Sequence, residues 1–142
     1  MPYISLDLLT DRYGERMLLQ LTDRDEPATG LVDSDVVDRA LADTDAVIDG
    51  YISARYKMPL AETPPLLADL AAAITIYKLH RYAPDPKIEQ DYKDALASLE
   101  RISKGVIRLP VEGVEPTGSG SAGVQTTDRD RPFTQDNLTG FI

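Results

Sequence analysis

Few side chains in this sequence can do covalent or metal chemistry. There is no Cys and a single His, His80. That removes disulfides, thiolate metal sites, Fe–S clusters and Cys nucleophiles together, and leaves any metal site to carboxylates. Carboxylates are plentiful, with 24 Asp+Glu against 15 Lys+Arg and a formal net charge of −9. The densest run is Asp43-Thr44-Asp45 followed by Asp49-Gly50. A calcium-binding EF-hand loop needs oxygen ligands at positions 1, 3 and 5 and Gly at position 6. Counted from Asp43, those last two positions are Val47 and Ile48. The run therefore reads as a solvated acidic helix face. Gly118-Ser-Gly-Ser-Ala-Gly123 matches the dinucleotide fingerprint by letter. It lacks the strand before it and the helix after it that would aim backbone N–H groups at a pyrophosphate, so it reads as a spacer. His80 has no Ser or acid in a triad arrangement and stands at a predicted helix end, a position that suits a structural imidazole, as it suits Lys78 and Arg81. Asn137-Leu138-Thr139 is a glycosylation sequon only where a secretory signal accompanies it. No catalytic, cofactor-binding or metal-ligating residue is assigned, and no cofactor is expected.

The charge balance narrows the partners. General nucleic-acid binding needs a basic surface to displace counterions from phosphates, and this chain is acidic. The acid is uneven: residues 1–60 hold 6 basic and 12 acidic groups, 61–109 hold 7 of each, and 110–142 hold 2 and 5. No run approaches the roughly 18 apolar residues of a membrane span. Met1-Pro2-Tyr3-Ile4-Ser5 lacks the basic and apolar regions of a signal peptide. The expectation is an acidic intracellular protein without a membrane segment.

The elements that must position these residues are helical. Ser5 caps a short helix through Leu6, Leu9 and Tyr13, Gly14 breaks it, and Met17 to Leu21 supply a second apolar cluster. Thr22 to Gly30 reads as a loop. Asp33 or Ser34 caps a long helix with Val36, Val37, Ala40, Leu41, Val47, Ile48, Tyr51 and Ile52 on its apolar side. Asp35, Asp38, Asp43, Asp45 and Asp49 fall mainly on its other side, as candidate lumen or interface acids. Gly50 costs about 1 kcal/mol inside that helix relative to Ala, unless it admits a close contact. Lys57 to Pro65 is a rigid connector, with Thr63 the expected cap and Pro64 the first residue of the next helix. Leu66 to Tyr77 is apolar on nearly every face, which belongs in the middle of a bundle. Asp85-Pro86 starts a last helix with Ile88, Tyr92, Ala95, Leu96, Leu99, Ile102 and Val106 as its stripe and Gly105 as its C-cap. Val106 to Val111 suggests a short extended segment. Tyr13, Tyr51, Tyr56, Tyr77, Tyr82 and Tyr92 recur on these faces as core or interface packing. The fold class is all-α: a small helical bundle of short N-terminal helices and three longer ones, with an extended C-terminal arm.

The division falls at 1–109 for the helical domain and 110–142 for the arm. The arm has 5 of the 9 Gly and 3 of the 10 Pro, too little apolar surface to offset its ordering entropy. Its end nevertheless gathers Phe133, Leu138, Phe141 and Ile142, and both Phe of the sequence are here. Apolar anchors on a tether are what a docking segment uses. Arg129 and Arg131 are placed to pair with carboxylates of a partner.

Several stretches, in order, resemble the Mu-like phage and prophage head–tail connector (adaptor) proteins. They are Tyr3 to Gly14, Leu19 to Asp23, Ile48 to Tyr56, Pro59-Leu60 through Pro64 to Leu67, Tyr77 to His80, Tyr92 to Leu96, Leu99 to Gly105 with Leu109, and Phe133 to Leu138 with Gly140-Phe141. The resemblance spans nearly the whole chain, and none of its pieces is a catalytic signature. It implies a structural virion protein without enzymatic activity, assembled in the host bacterial cytoplasm and residing at the neck of the particle. The implied partners are further copies in a ring, twelvefold in the family pattern, together with the portal protein and a tail, stopper or tail-terminator protein. DNA would pass through without being specifically bound, since an acidic wall repels it. Two other readings compete. One is a small acidic regulatory or inhibitory protein docking helix 33–54 on a basic partner. The other is an enzyme, which the absent Cys and single His support least.

Overall fold

The computed structural model describes residues 2–24 and 26–111. Of the predicted arm, residues 112–142, with Arg129, Arg131, Phe133, Leu138, Phe141 and Ile142, lie outside the described residues. The described chain is all-α, in the order α1 (Leu6–Tyr13), α2 (Glu15–Thr22), α3 (Ser34–Ile52), α4 (Pro65–Leu79) and α5 (Pro86–Ser103).

Local chemistry explains most of the boundaries. Ser5 Oγ accepts from the Leu8 N–H at 3.3 Å at the start of α1. Gly14 takes φ 87°, a conformation that costs glycine little, so α1 and α2 meet there at a bend. Asp33 caps α3, its Oδ1 accepting from the Asp35 N–H at 3.0 Å and the Val36 N–H at 3.4 Å. The α4 start differs from expectation. Pro64 is its N-cap and Pro65 its first residue, with no side-chain cap from Thr63. A proline at the first position forgoes only an N–H that would be unpaired anyway, so the helix starts without a capping hydroxyl. Asp85 likewise holds the N-cap position of α5 without a capping hydrogen bond, and Pro86 is first. At the other end of α5 the C-cap is Lys104, one residue before the expected Gly105. Gly105 follows at φ 78°, its N–H bonded to Ile102 O at 3.1 Å and that of Val106 to Arg101 O at 2.9 Å. This paired closure is a Schellman motif and requires the left-handed residue after the cap.

α4 is the central helix, packed by both α3 and α5. Leu67, Leu70, Ala71, Ala72, Ile74, Thr75, Ile76 and Leu79 are all buried, as its all-round apolar sequence demands. Two hydroxyls cross this core. Thr44 Oγ1 donates to Ala40 O at 2.8 Å and lies 2.9 Å from Thr75 Oγ1. With the one Thr44 proton used, Thr75 donates to Thr44. Thr22, also buried, donates to Leu18 O at 2.8 Å and accepts from the Asp33 N–H at 3.1 Å, joining the end of α2 to the cap of α3. Beyond α5, residues 106–111 form no strand. They pack instead: Leu109 and Val111 are buried, and the Leu109 N–H donates to Tyr56 Oη at 3.0 Å. With no partner strand, the segment sends its N–H groups elsewhere: Ile107 to Arg101 O at 3.3 Å, Val111 to Leu109 O at 2.9 Å, and Leu109 to that phenol.

Candidate functional site

The five α3 carboxylates singled out by sequence divide into two groups. Asp35, Asp38 and Asp43 are exposed, and none makes an ion pair among the described residues. Asp45 and Asp49, one helical turn apart, are half-buried and occupied. Asp45 Oδ1 accepts from the Tyr3 N–H at 3.1 Å, and Asp49 Oδ1 accepts from the Tyr3 hydroxyl. Burial, then the Asp49 hydrogen bond and charge, push the Tyr3 phenol well above the ordinary tyrosine range. Burial also raises the Asp45 carboxyl, against the Tyr3 N–H that favours its charge. The pair thus clasps the N-terminal segment to α3. Sequence reasoning missed this role of Tyr3, because its partners are 42 and 46 residues away.

At the opposite end of α3, cations from three elements meet. Arg24 Nε donates to Leu21 O at 3.2 Å and its Nη2 to Leu79 O at 2.9 Å, so one guanidinium serves the C-terminal ends of both α2 and α4. Burial, then Arg81 and Arg39, lower the Arg24 pKa. Arg24, Arg39, Asp43 and Lys78 line one cleft here, and Arg24, Arg81 and the 86% exposed Tyr82 line the next. Tyr82 was expected on a packed helical face; it follows α4 and is exposed because the helix has already ended. Arg24, not the predicted Arg81, is the guanidinium that reaches the Leu79 carbonyl at the end of α4. The loop below is held by Asp23, which accepts from the Thr29 and Gly30 N–H groups at 3.0 and 2.9 Å. Those donors hold its carboxyl below the usual carboxylate range.

His80 is the C-cap of α4, and its Nδ1 donates to Ile76 O at 2.7 Å. The ring is committed to a helix end, the structural use read from sequence. Among the described residues no three His, Asp or Glu side chains gather as a metal site would require. Nor is any described helix long and apolar enough to cross a membrane.

A third surface was visible in sequence only as an oddity, Gly50. Ala46, Val47, Gly50 and Tyr51 of α3 and Tyr92 and Leu96 of α5 line an open groove of about 400 Å³. The Tyr92 ring stacks on Tyr77, centroids 3.9 Å apart and planes 3° from parallel.

A family described as "Bacteriophage Mu, Gp36" matches residues 3–127 of this chain. "Gene product J" of Escherichia phage Mu is 32% identical over 145 residues, covering 100% of both chains. "Mu-like prophage FluMu protein gp36" of Haemophilus influenzae is 27% identical over 140 residues, covering 99% of this chain and 98% of the other.

Proposed function

The chain belongs to the bacteriophage Mu Gp36 family, and we propose that within the phage particle it is a structural subunit, the head–tail connector. In this reading, copies form a ring, twelvefold as the connector resemblance implies. The ring sits between the portal and the tail or stopper, at the neck of the virion, and performs no catalysis. The observation that carries it is end-to-end similarity to a phage Mu gene product in a chain whose connector-like stretches run from Tyr3 to Phe141.

The charge arrangement fits that role. Asp35, Asp38 and Asp43 face solvent without an ion pair among the described residues, and Asp35 and Asp38, away from the cleft where Asp43 sits beside Arg24, Arg39 and Lys78, present a field that a ring multiplies. A wall of carboxylates repels phosphate at every position, and DNA slides past it without adhering. The clasped Asp45 and Asp49 present less carboxylate surface to that wall, because both are half-buried under Tyr3. The arm supplies attachment, with Phe133, Leu138, Phe141 and Ile142 as anchors and Arg129 and Arg131 as partners for carboxylates on the portal or a neighbouring subunit. Burying a few aromatic and aliphatic side chains at about 25 cal/mol per Å² suffices to hold a tether to an assembled surface.

Native mass spectrometry of the protein mixed with its portal protein tests the reading. A multi-subunit complex is expected, and a strict monomer that never binds portal would sink it. A second reading, a regulatory protein that docks helix 33–54 on a basic partner, is favoured by the same exposed acids. It predicts that deleting residues 124–142 leaves function intact, whereas the connector reading predicts that particles fail to assemble.

A further inference from the structure

Gly14, Gly30 and Gly105 have φ of 87°, 73° and 78°, which accounts for glycine at each. Gly50 has no such reason. It lies inside α3 with helical backbone, where glycine costs about 1 kcal/mol relative to alanine. A Cβ added there would meet nothing within 4 Å. Its missing side chain therefore relieves no crowding inside the described subunit. What it opens is the groove between α3 and α5. Ala46 and Gly50 leave the helix surface bare, while Val47, Tyr51, Tyr92 and Leu96 stand around it. No lining residue is charged. The Tyr77 stack holds the Tyr92 wall in place. The groove holds about 400 Å³ and stands open to solvent.

We propose that this groove receives the aromatic end of the chain, residues 133–142, from a neighbouring copy. The proposal rests on the ring reading above and names the acceptor that reading lacks. The body has no Phe, and both Phe of the sequence, Phe133 and Phe141, lie in this segment with Leu138 and Ile142. These are the side chains an uncharged, aromatic-walled groove accepts. Length permits the transfer. The last described core residue is Val111. From there to Phe133 an extended chain reaches roughly 70 Å at about 3.3 Å per residue. The stretch of α5 back from Gly105 to Tyr92 measures only about 20 Å at 1.5 Å per residue. A groove on one copy filled by the end of the next is a heterologous contact, the type that closes rings.

The test uses the full chain with Thr139→p-benzoylphenylalanine, which leaves all four anchors in place, as an equal mixture of ¹⁴N and ¹⁵N copies assembled with portal protein. Irradiation is expected to join position 139 of one copy to residues 46–51 or 92–96 of another, giving mixed-isotope pairs. Rings that form with crosslinks only inside single chains, only to portal, or only elsewhere would overturn this proposal and leave the ring reading standing. Absence of any ring with portal would overturn both. Gly50→Leu fills the groove, and Gly50→Ala barely alters it. Both variants are expected to melt no lower than the parent, because the new Cβ has open space. Crosslinking should fall at least ten-fold in Gly50→Leu and less than two-fold in Gly50→Ala. An unchanged yield in Gly50→Leu would also overturn the proposal.

Discussion

The two halves of α3 carry the same residue type in opposite roles. Toward its N-terminus, Asp35, Asp38 and Asp43 face water with no ion-pair partner among the described residues. Toward its C-terminus, Asp45 and Asp49 are half-buried and hold Tyr3 by its N–H and its hydroxyl. The first group contributes charge to the surroundings; the second contributes stability to the fold. An aspartate's role here is decided by what passes over it, and only the second half of the helix is crossed by the N-terminal segment. The contrast also separates two kinds of mutational sensitivity, one read in the melting of the chain and one that the proposed connector role would place in assembly alone.

Mutations that probe this contrast rank by expected size. Ile48→Ala, on the fully buried face of α3, should cost about 2–5 kcal/mol in chemical denaturation, and sets the scale of the core. Tyr3→Phe removes the hydroxyl bonded to Asp49 and should cost about 1.5–3 kcal/mol, the usual worth of a hydrogen bond to a charged group. A loss below about 0.5 kcal/mol would mean that the clasp adds little beyond the packing of the ring. The same pair gives a pH signature. The Tyr3 phenol is raised in the folded chain, so its contribution is fully present below the ordinary tyrosine pKa of about 10 and is lost as pH rises beyond it. Urea titrations of the parent and Tyr3→Phe should therefore converge above pH 10, and a constant gap would refute the linkage. The smallest stability effect is expected from Asp35→Asn, Asp38→Asn and Asp43→Asn together, within about 0.5 kcal/mol, as for exposed sites generally. If that triple variant melts many degrees lower, these acids belong to the fold and the division of α3 fails. Phe133→Ala should likewise leave melting unchanged while lowering particle yield, and an unchanged yield would count against the arm as attachment.

Much of the architecture could be read in advance because its causes are local. Gaps of three and four mark α3 and α5, unbroken apolarity marks α4 as central, and Ser5, Asp33 and Pro86 announce helix starts. The misreadings were also local. Thr63 and Gly105 each stand one step from the true boundary, since a proline-led helix needs no capping hydroxyl and a Schellman glycine follows the cap. The candidate site was less legible. Its five aspartates were recognised as one acidic face, with nothing to separate the free from the clasped. Arg24 gave no sign that it would reach a carbonyl 55 residues away. Gly50 stands out in the sequence as a cost, and nothing local links it to Tyr92 across the groove.

By itself the sequence determined that this chain is helical, that its core is aliphatic, that it is acidic, and that its Phe residues lie near its end. Those properties follow from composition and short-range periodicity, which act within a few turns of one helix. Tertiary structure alone decided which acids remain free, which cations converge on the ends of α2 and α4, and where a groove stays open. Each of these depends on two segments distant in sequence approaching within a hydrogen-bond length or a side-chain width. Packing of α4 between α3 and α5 sets those approaches, through the summed shapes of many buried side chains.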